Sequence, residues 1–315
     1  MKAARPSLDA FLRFLRWPNL LLITLFLLVF DQAVVGAISA SIGMPPALDG
    51  IPRVLLILDV LIVTLIGYWL NDLQDVATDS INRPDRFLVR YPAYASKAKA
   101  WVVWLVAIGL CLTAAIGYWE GRLEWMGLYP AAVLGLFFYA RHGKFWGLWG
   151  NSFVSFMIAA LPMLWILAEI ELFQGLKDAS PVHFESVTKL LLCYAALMFF
   201  SNLARELSKD VEDMRGDQAV NGRSFPLRIG VAGTSLLMTA FLLMIAGVQT
   251  LMVALLPRSL LLSVFSAVVF FLLLMFVRWI QKLGFSEAAP RLNKGLKWLM
   301  LIGLMQLFSL PTTLF

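Results

Sequence analysis

The chain has 315 residues, 60% of them apolar and only 15% charged, with a net charge of +6 and a mean hydropathy of +0.80. A water-soluble domain carries about 25% charged residues, so this chain lacks the polar side chains to cover a surface in water, and lipid is the solvent its composition fits. The modest basic excess calls for no nucleic acid. Only two cysteines occur, Cys111 and Cys193, both inside apolar runs, which excludes a disulfide framework or a thiolate metal site.

The first segment, Met1 to Trp17, is basic, and Leu8, Phe11, Leu12, Phe14 and Leu15 place an apolar stripe on one side. That pattern predicts a short interfacial helix within residues 1–19, leading into the membrane. Long apolar runs then predict nine spanning helices, near 20–42, 54–72, 100–118, 125–140, 150–170, 187–207, 230–254, 259–280 and 296–314. In lipid the backbone must satisfy its own polar groups, so the spans are helices and the fold class is all-α and polytopic, with residues 1–315 one domain.

Basic residues set the orientation. With the N-terminus cytoplasmic, 21 of the 26 Lys and Arg fall on the cytoplasmic side. Segments 73–99 and 208–228 then become cytoplasmic cap loops, and the expected home is a bacterial-type inner membrane. His142 and His183 lie on opposite sides and cannot form a zinc pair.

Two acidic motifs share one spacing. Asp72, Asp75 and Asp79 follow the second span; Asp210, Asp213 and Asp217 follow the sixth. At about 100° per residue, positions 0, 3 and 7 lie on one face of a helix. Three carboxylates repel one another unless a cation sits between them. Carboxylates and the amide oxygen of Asn71 are hard donors that suit Mg²⁺, which takes one or two carboxylates and completes its shell with water and phosphate. Two clusters could hold two Mg²⁺ ions against one diphosphate, with Arg83, Arg86, Lys209 and Arg223 supplying further phosphate contacts. A merely solvated loop explains a single motif, but matched spacing on one side argues against that reading.

On these residues the sequence resembles the UbiA superfamily of intramembrane prenyltransferases. Asn71, Asp72, Asp75 and Asp79 match its N-D-x-x-D-x-x-x-D motif, and Asp213 and Asp217 its D-x-x-x-D motif. Tyr139, Lys144, Gly150 and Asn151 are similar to its pattern after the fourth span, and Arg16-Trp17-Pro18-Asn19 to its approach to the first helix. The resemblance implies nine helices around a central cavity, with a prenyl tail lying in a lipid-contiguous tunnel and its diphosphate beneath the two acidic segments. It implies metal ligation by Asn71 and Asp75 and by Asp213 and Asp217, with Asp79 and Asp210 as further ligands or as partners of the basic residues. Arg16, Asn19, Tyr139, Lys144 and Asn151 would contact the diphosphate or the acceptor.

The wording from Asp79 to Arg86 and from Arg205 to Asp213 is similar to the geranylgeranylglycerol-phosphate geranylgeranyltransferase branch. That implies geranylgeranyl diphosphate as donor and geranylgeranylglyceryl phosphate as acceptor, in ether lipid synthesis. An aromatic-acid prenyltransferase of quinone synthesis is the alternative. A glycerol hydroxyl needs a base, for which Asp72 and Glu206 are candidates, and Lys144 is the candidate catalytic cation. A transporter with acidic gates would instead distribute charge near the midplane. Asp31 and Asp59 sit inside apolar runs, and both are expected to be neutral or paired interior groups.

Overall fold

The computed structural model describes residues 6–122, 125–220, 224–256 and 259–310, without the side chains of residues 144 and 145. Its elements, in chain order, are α1 (Leu8–Leu15), α2 (Trp17–Phe30), α3 (Gly36–Ile42), α4 (Ile51–Gln74), α5 (Val76–Asn82), α6 (Phe87–Arg90), α7 (Ala95–Trp119) and α8 (Trp125–His142), followed by α9 (Leu148–Ala159), α10 (Leu161–Ala168), α11 (Ile170–Ala179), α12 (Pro181–Ala219), α13 (Phe225–Leu255), α14 (Leu260–Leu283) and α15 (Phe285–Gln306). A π-helical turn, Asp31–Val35, joins α2 to α3. There is no strand among the described residues. The all-α reading therefore holds.

Seven stretches are long and apolar enough to cross a membrane: Trp17–Ile42, Ile51–Gln74, Pro92–Trp119, Leu148–Ala168, Pro181–Ala219, Phe225–Leu255 and Leu260–Leu283. The chain is thus a multi-pass membrane protein. The other two expected spans fall on α8 and α15, which are helical but less apolar. Pro130 interrupts α8, and Arg141 and His142 close it. The first half of α15 carries Glu287, Arg291, Asn293 and Lys294, with Lys297 just beyond, and residues 311–314 of the ninth expected span lie outside the described residues. The two expected cap loops are largely helical: α5 and α6 occupy much of 73–99, and α12 runs unbroken to Ala219. At 1.5 Å per residue the 39 residues of α12 extend about 58 Å, well beyond a hydrocarbon core of about 30 Å. The acidic end of α12 is consequently solvated helix rather than loop.

The chain divides into two compact units. The first comprises residues 1–25, 48–146 and 215–223; the second comprises 26–47, 147–214 and 224–315. In the first unit α4, α7 and α8 pack together. An aromatic cluster at their end fixes α1. The Phe14 ring stacks on Trp69 at 5.1 Å and on Phe87 at 4.5 Å, and Phe11 meets Trp101 edge-on. Ser7 caps α1, its hydroxyl accepting from Ala10 N. Deeper in the same helices, Thr113 donates to Asp59 Oδ2 at 2.8 Å, so this expected interior carboxyl is paired between α7 and α4. Asp31, the other interior carboxyl, is buried at the start of the π-helical turn.

In the second unit the core is built from Leu203, Leu207 and Val211 of α12, Met238, Leu242 and Ile245 of α13, Leu273 and Phe276 of α14, and Leu292 and Leu296 of α15. Lipid offers little hydrophobic drive between helices, so close packing and interhelical hydrogen bonds hold them. One such bond set links α13, α14 and α15: the side-chain amides of Gln249 and Gln306 both donate to Ser266 Oγ, at 2.8 and 3.1 Å.

Candidate active site

The first acidic motif straddles a helix break in the first unit. Asn71 and Asp72 occupy the last turn of α4, which stops at Gln74. Asp75 caps that helix with φ −84° and ψ 0°, its N–H donating to Asn71 O at 2.9 Å. The chain restarts as α5, where the Asp79 N–H donates to Asp75 O at 2.7 Å. Asp72 and Asp79 are buried, and Asn71 and Asp75 are half-buried.

Two arginines converge on Asp72. Arg16 forms an ion pair with Asp72 Oδ1, and Arg86 Nη1 approaches the same oxygen at 3.5 Å. Arg16 is the only non-glycine among the described residues with positive φ, at 52°. This left-handed conformation ends α1, with the Arg16 N–H donating to Arg13 O and Leu12 O. It also turns the side chain inward, where the guanidinium lies 4.6 Å from the centre of the Tyr68 ring. The backbone strain is offset by the aromatic packing of Phe11 and Phe14 against Phe87. Burial pushes the Asp79 carboxyl above its ordinary range, with the positive charge of Arg86 opposing the shift. Arg86 is itself lowered by burial and by its neighbour Arg16.

The second motif lies along α12. In the second unit, Asn151 Nδ2 donates to Asp210 Oδ2 at 2.7 Å, joining the expected Gly-Asn pattern to the motif. Glu206 accepts from Lys209 Nζ through both carboxylate oxygens, at 2.7 and 2.8 Å, and from Arg205 Nη1 at 2.9 Å. Farther along, Asn293 of α15 donates to Glu212 Oε1 at 2.9 Å. Asp213 is half-buried.

The last part of α12, from Arg215, belongs to the first unit, and there it meets α5. The Gly216 N–H donates to Asn82 Oδ1 at 2.9 Å. A Cβ on Gly216 would stand 2.7 Å from the backbone oxygen of Thr78 and 2.5 Å from Asn82 Nδ2, so only glycine permits this approach. Asp217, the last carboxylate of motif two, is therefore placed beside the helix that carries Asp79.

The structure thus brings Arg16, Asp72, Asp79 and Arg86 together in one unit, and Asn151 with Asp210, and Glu206 with Lys209, in the other. Asn19 N donates to Arg16 O at 2.8 Å, close behind the ion pair. Tyr139 packs its ring against Gly143, on the connection that follows α8. Arg83 follows α5, its N–H donating to Asp79 O at 2.8 Å. Arg223 and the side chain of Lys144 lie outside the described residues. Ser155 and Asn202, which motif reading passed over, sit with Arg205 beside the second motif; polar residues in otherwise apolar spans were the signal that marked them.

Among the described residues, no three His, Cys, Asp or Glu side chains form a preformed metal cage. The donor set nevertheless fits Mg²⁺, which draws one or two carboxylates from protein and the rest from water and phosphate. One carboxylate oxygen of Asp75 and one of Asp213, Oδ1 in each, is buried and accepts no hydrogen bond from the protein, while each residue is held by other interactions.

Apolar spans ending in paired acidic and basic clusters define the class, a multi-pass helical membrane protein. The chain belongs to the UbiA prenyltransferase family, which matches residues 16–301. It is 34% identical to the digeranylgeranylglyceryl phosphate synthase of Methanoregula boonei over 58% of this chain and 59% of that one. The synthase of the same name from Thermococcus kodakarensis is 33% identical over 62% of each chain. The chain accordingly spans about three fifths of the length of these two relatives. The fold is also that of two solved structures, each with TM-score 0.60. One is described as giving "structural and mechanistic insights into the biosynthesis of Digeranylgeranylglyceryl phosphate synthase in membranes", at 20% identity over 95% of this chain and 96% of that one. The other is the apo structure of a UbiA homolog from Aeropyrum pernix K1, at 18% identity over 90% and 96%.

Proposed function

We propose that this protein transfers a geranylgeranyl group from geranylgeranyl diphosphate to geranylgeranylglyceryl phosphate, forming an ether bond. The observation that carries the reading is the pair of motifs with carboxylates at positions 0, 3 and 7, the first followed by Arg83 and Arg86 and the second preceded by Lys209 and containing Arg215. The names of the curated relatives support the choice of acceptor.

In this reading Asn71 and Asp75 hold one Mg²⁺ and Asp213 and Asp217 the other, with Asp79 and Asp210 completing the two clusters. Bound magnesium neutralises the charge that builds on the departing diphosphate. Arg83, Arg86, Lys209, Arg223 and Lys144 orient that diphosphate and stabilise it as the C1–O bond breaks, leaving an allylic cation on the prenyl chain. The glycerol hydroxyl attacks C1 and loses its proton to a carboxylate, for which Asp72 and Glu206 are the candidates. Both already accept from cationic donors, which favours a role as counter-ions that aim those cations. Arg16, Asn19, Tyr139 and Asn151 line the approach of the acceptor. We place the N-terminus and both acidic segments on the cytoplasmic side of an inner membrane, with nine helices around one cavity.

The test is an acceptor panel with purified protein. Geranylgeranylglyceryl phosphate, 4-hydroxybenzoate and dihydroxynaphthoate are each supplied with prenyl diphosphates of several lengths. A diether product from the first acceptor is expected. Prenylation of an aromatic acid alone would move the protein to the quinone branch and leave its chemistry intact.

A further inference from the structure

We propose that Ser155 and Asn202 are positioning residues of the active site, holding Asp210 and Arg205 in place through a hydrogen-bonded relay from α9 to α12. The inference rests on the prenyltransferase reading above.

All members of the relay belong to the second unit. Ser155 and Asn202 are 0% and 1% exposed, so each polar atom must find its partner inside the protein. Ser155 Oγ has one hydrogen and spends it on Asn151 O, at 2.8 Å. Toward Asn202 it can then only accept, and Asn202 Nδ2 donates to it at 3.1 Å. That bond fixes the Asn202 amide with its oxygen directed to Arg205, whose Nη1 lies 3.4 Å away. Asn151 in turn donates to Asp210, and Arg205 donates to Glu206, which also holds Lys209. The chain of bonds therefore begins on a carboxylate of motif two and ends on the cations beside it.

The placement along α12 follows from its periodicity. Residues 202, 206, 209, 210 and 213 recur at intervals of three and four, so Asn202 continues the stripe of motif two toward the apolar part of the helix. Gln249, Ser266 and Gln306 provide the contrast. They too bond across buried helices, yet their shared hydroxyl ends on Leu262 O and no charged group is joined. That set is a clamp between helices. The Ser155–Asn202 set differs in having direction, because each of its ends is an ionised side chain. Partners of this kind that orient ligands from behind typically cost about 10–100-fold in metal affinity or activity when removed.

The experiment compares Ser155→Ala, Asn202→Ala and Ser155→Thr with the wild-type chain in detergent. Mn²⁺ serves as a spin probe, with inorganic pyrophosphate present, and the Mg²⁺ dependence of turnover is measured beside it. Both alanine variants should bind Mn²⁺ about tenfold more weakly, with a matching rise in the Mg²⁺ concentration for half-maximal rate. Ser155→Thr, which keeps the hydroxyl, should restore binding. Alanine variants that unfold at lower temperature yet bind Mn²⁺ like the wild type would overturn the positioning role. Should Asn202→Ala fail to fold, Ser155→Ala decides alone. A wild-type chain that binds no Mn²⁺ with pyrophosphate would overturn the proposed function, and this inference with it.

Discussion

Asp72 shows how a single position changes meaning between sequence and structure. In the motif it is one of three spaced aspartates, equivalent to its neighbours. In the folded chain it is the buried counter-ion of two arginines, one delivered by a left-handed residue at the end of α1 and one by the segment after α5. Double substitution of Arg16→Ala and Asp72→Asn should consequently cost less stability than the two single changes added together, with a coupling of about 0.5–3 kcal/mol. Thermal unfolding in detergent measures it, and strictly additive effects would show that the two side chains act independently. Nothing local in the sequence announces this pair, since 56 residues separate its members. The arginine was visible as part of Arg16-Trp17-Pro18-Asn19, but its partner depends on where Phe14 docks.

The elements were more legible than the contacts between them. The long apolar runs and the spacing of the aspartates identified the helices that carry both motifs, because the 3.6-residue period constrains which residues share a face. Two segments expected as loops are helices instead. In α12, no proline or β-branched run interrupts the residues between Ser208 and Ala219, and the helix simply continues out of its apolar part. The close approach of α12 to α5 was not legible at all, because a glycine within a charged stretch carries no signal of what it touches. Its importance can be measured. Gly216→Ala forces a Cβ against the Thr78 backbone, a strain of about 1–3 kcal/mol. A lower unfolding temperature and a loss of turnover greater than tenfold are expected, whereas Gly247→Ala, at an exposed position of α13 where a Cβ meets nothing, should leave turnover within twofold. Equal activity of the two variants would show that the contact has no role in the site.

At the scale of the whole molecule, the sidedness of charge is the feature that sequence expresses most directly. The proposed topology places Asp85 and Asp178, both exposed, on opposite faces of the membrane. In a Cys111→Ser background, Asp85→Cys should react with an impermeant thiol reagent only from the cytoplasmic side, and Asp178→Cys only from the other. Labelling of both from one side would reverse or break the assigned orientation. The number of spans was only partly legible, since α8 and α15 mix helix-breaking or charged residues into otherwise apolar runs.

The measurement that bears most directly on the chemistry uses metal-stripped protein with geranylgeranyl diphosphate and geranylgeranylglyceryl phosphate. After EDTA treatment there should be no diphosphate release, and added Mg²⁺ should restore release with one diether formed per diphosphate. Asp75→Ala and Asp213→Ala should each lose activity on the order of 10²-fold or more, while unfolding at temperatures close to the wild type. Turnover insensitive to EDTA, or comparable to wild type in either variant, would contradict a magnesium diphosphate site built from both motifs.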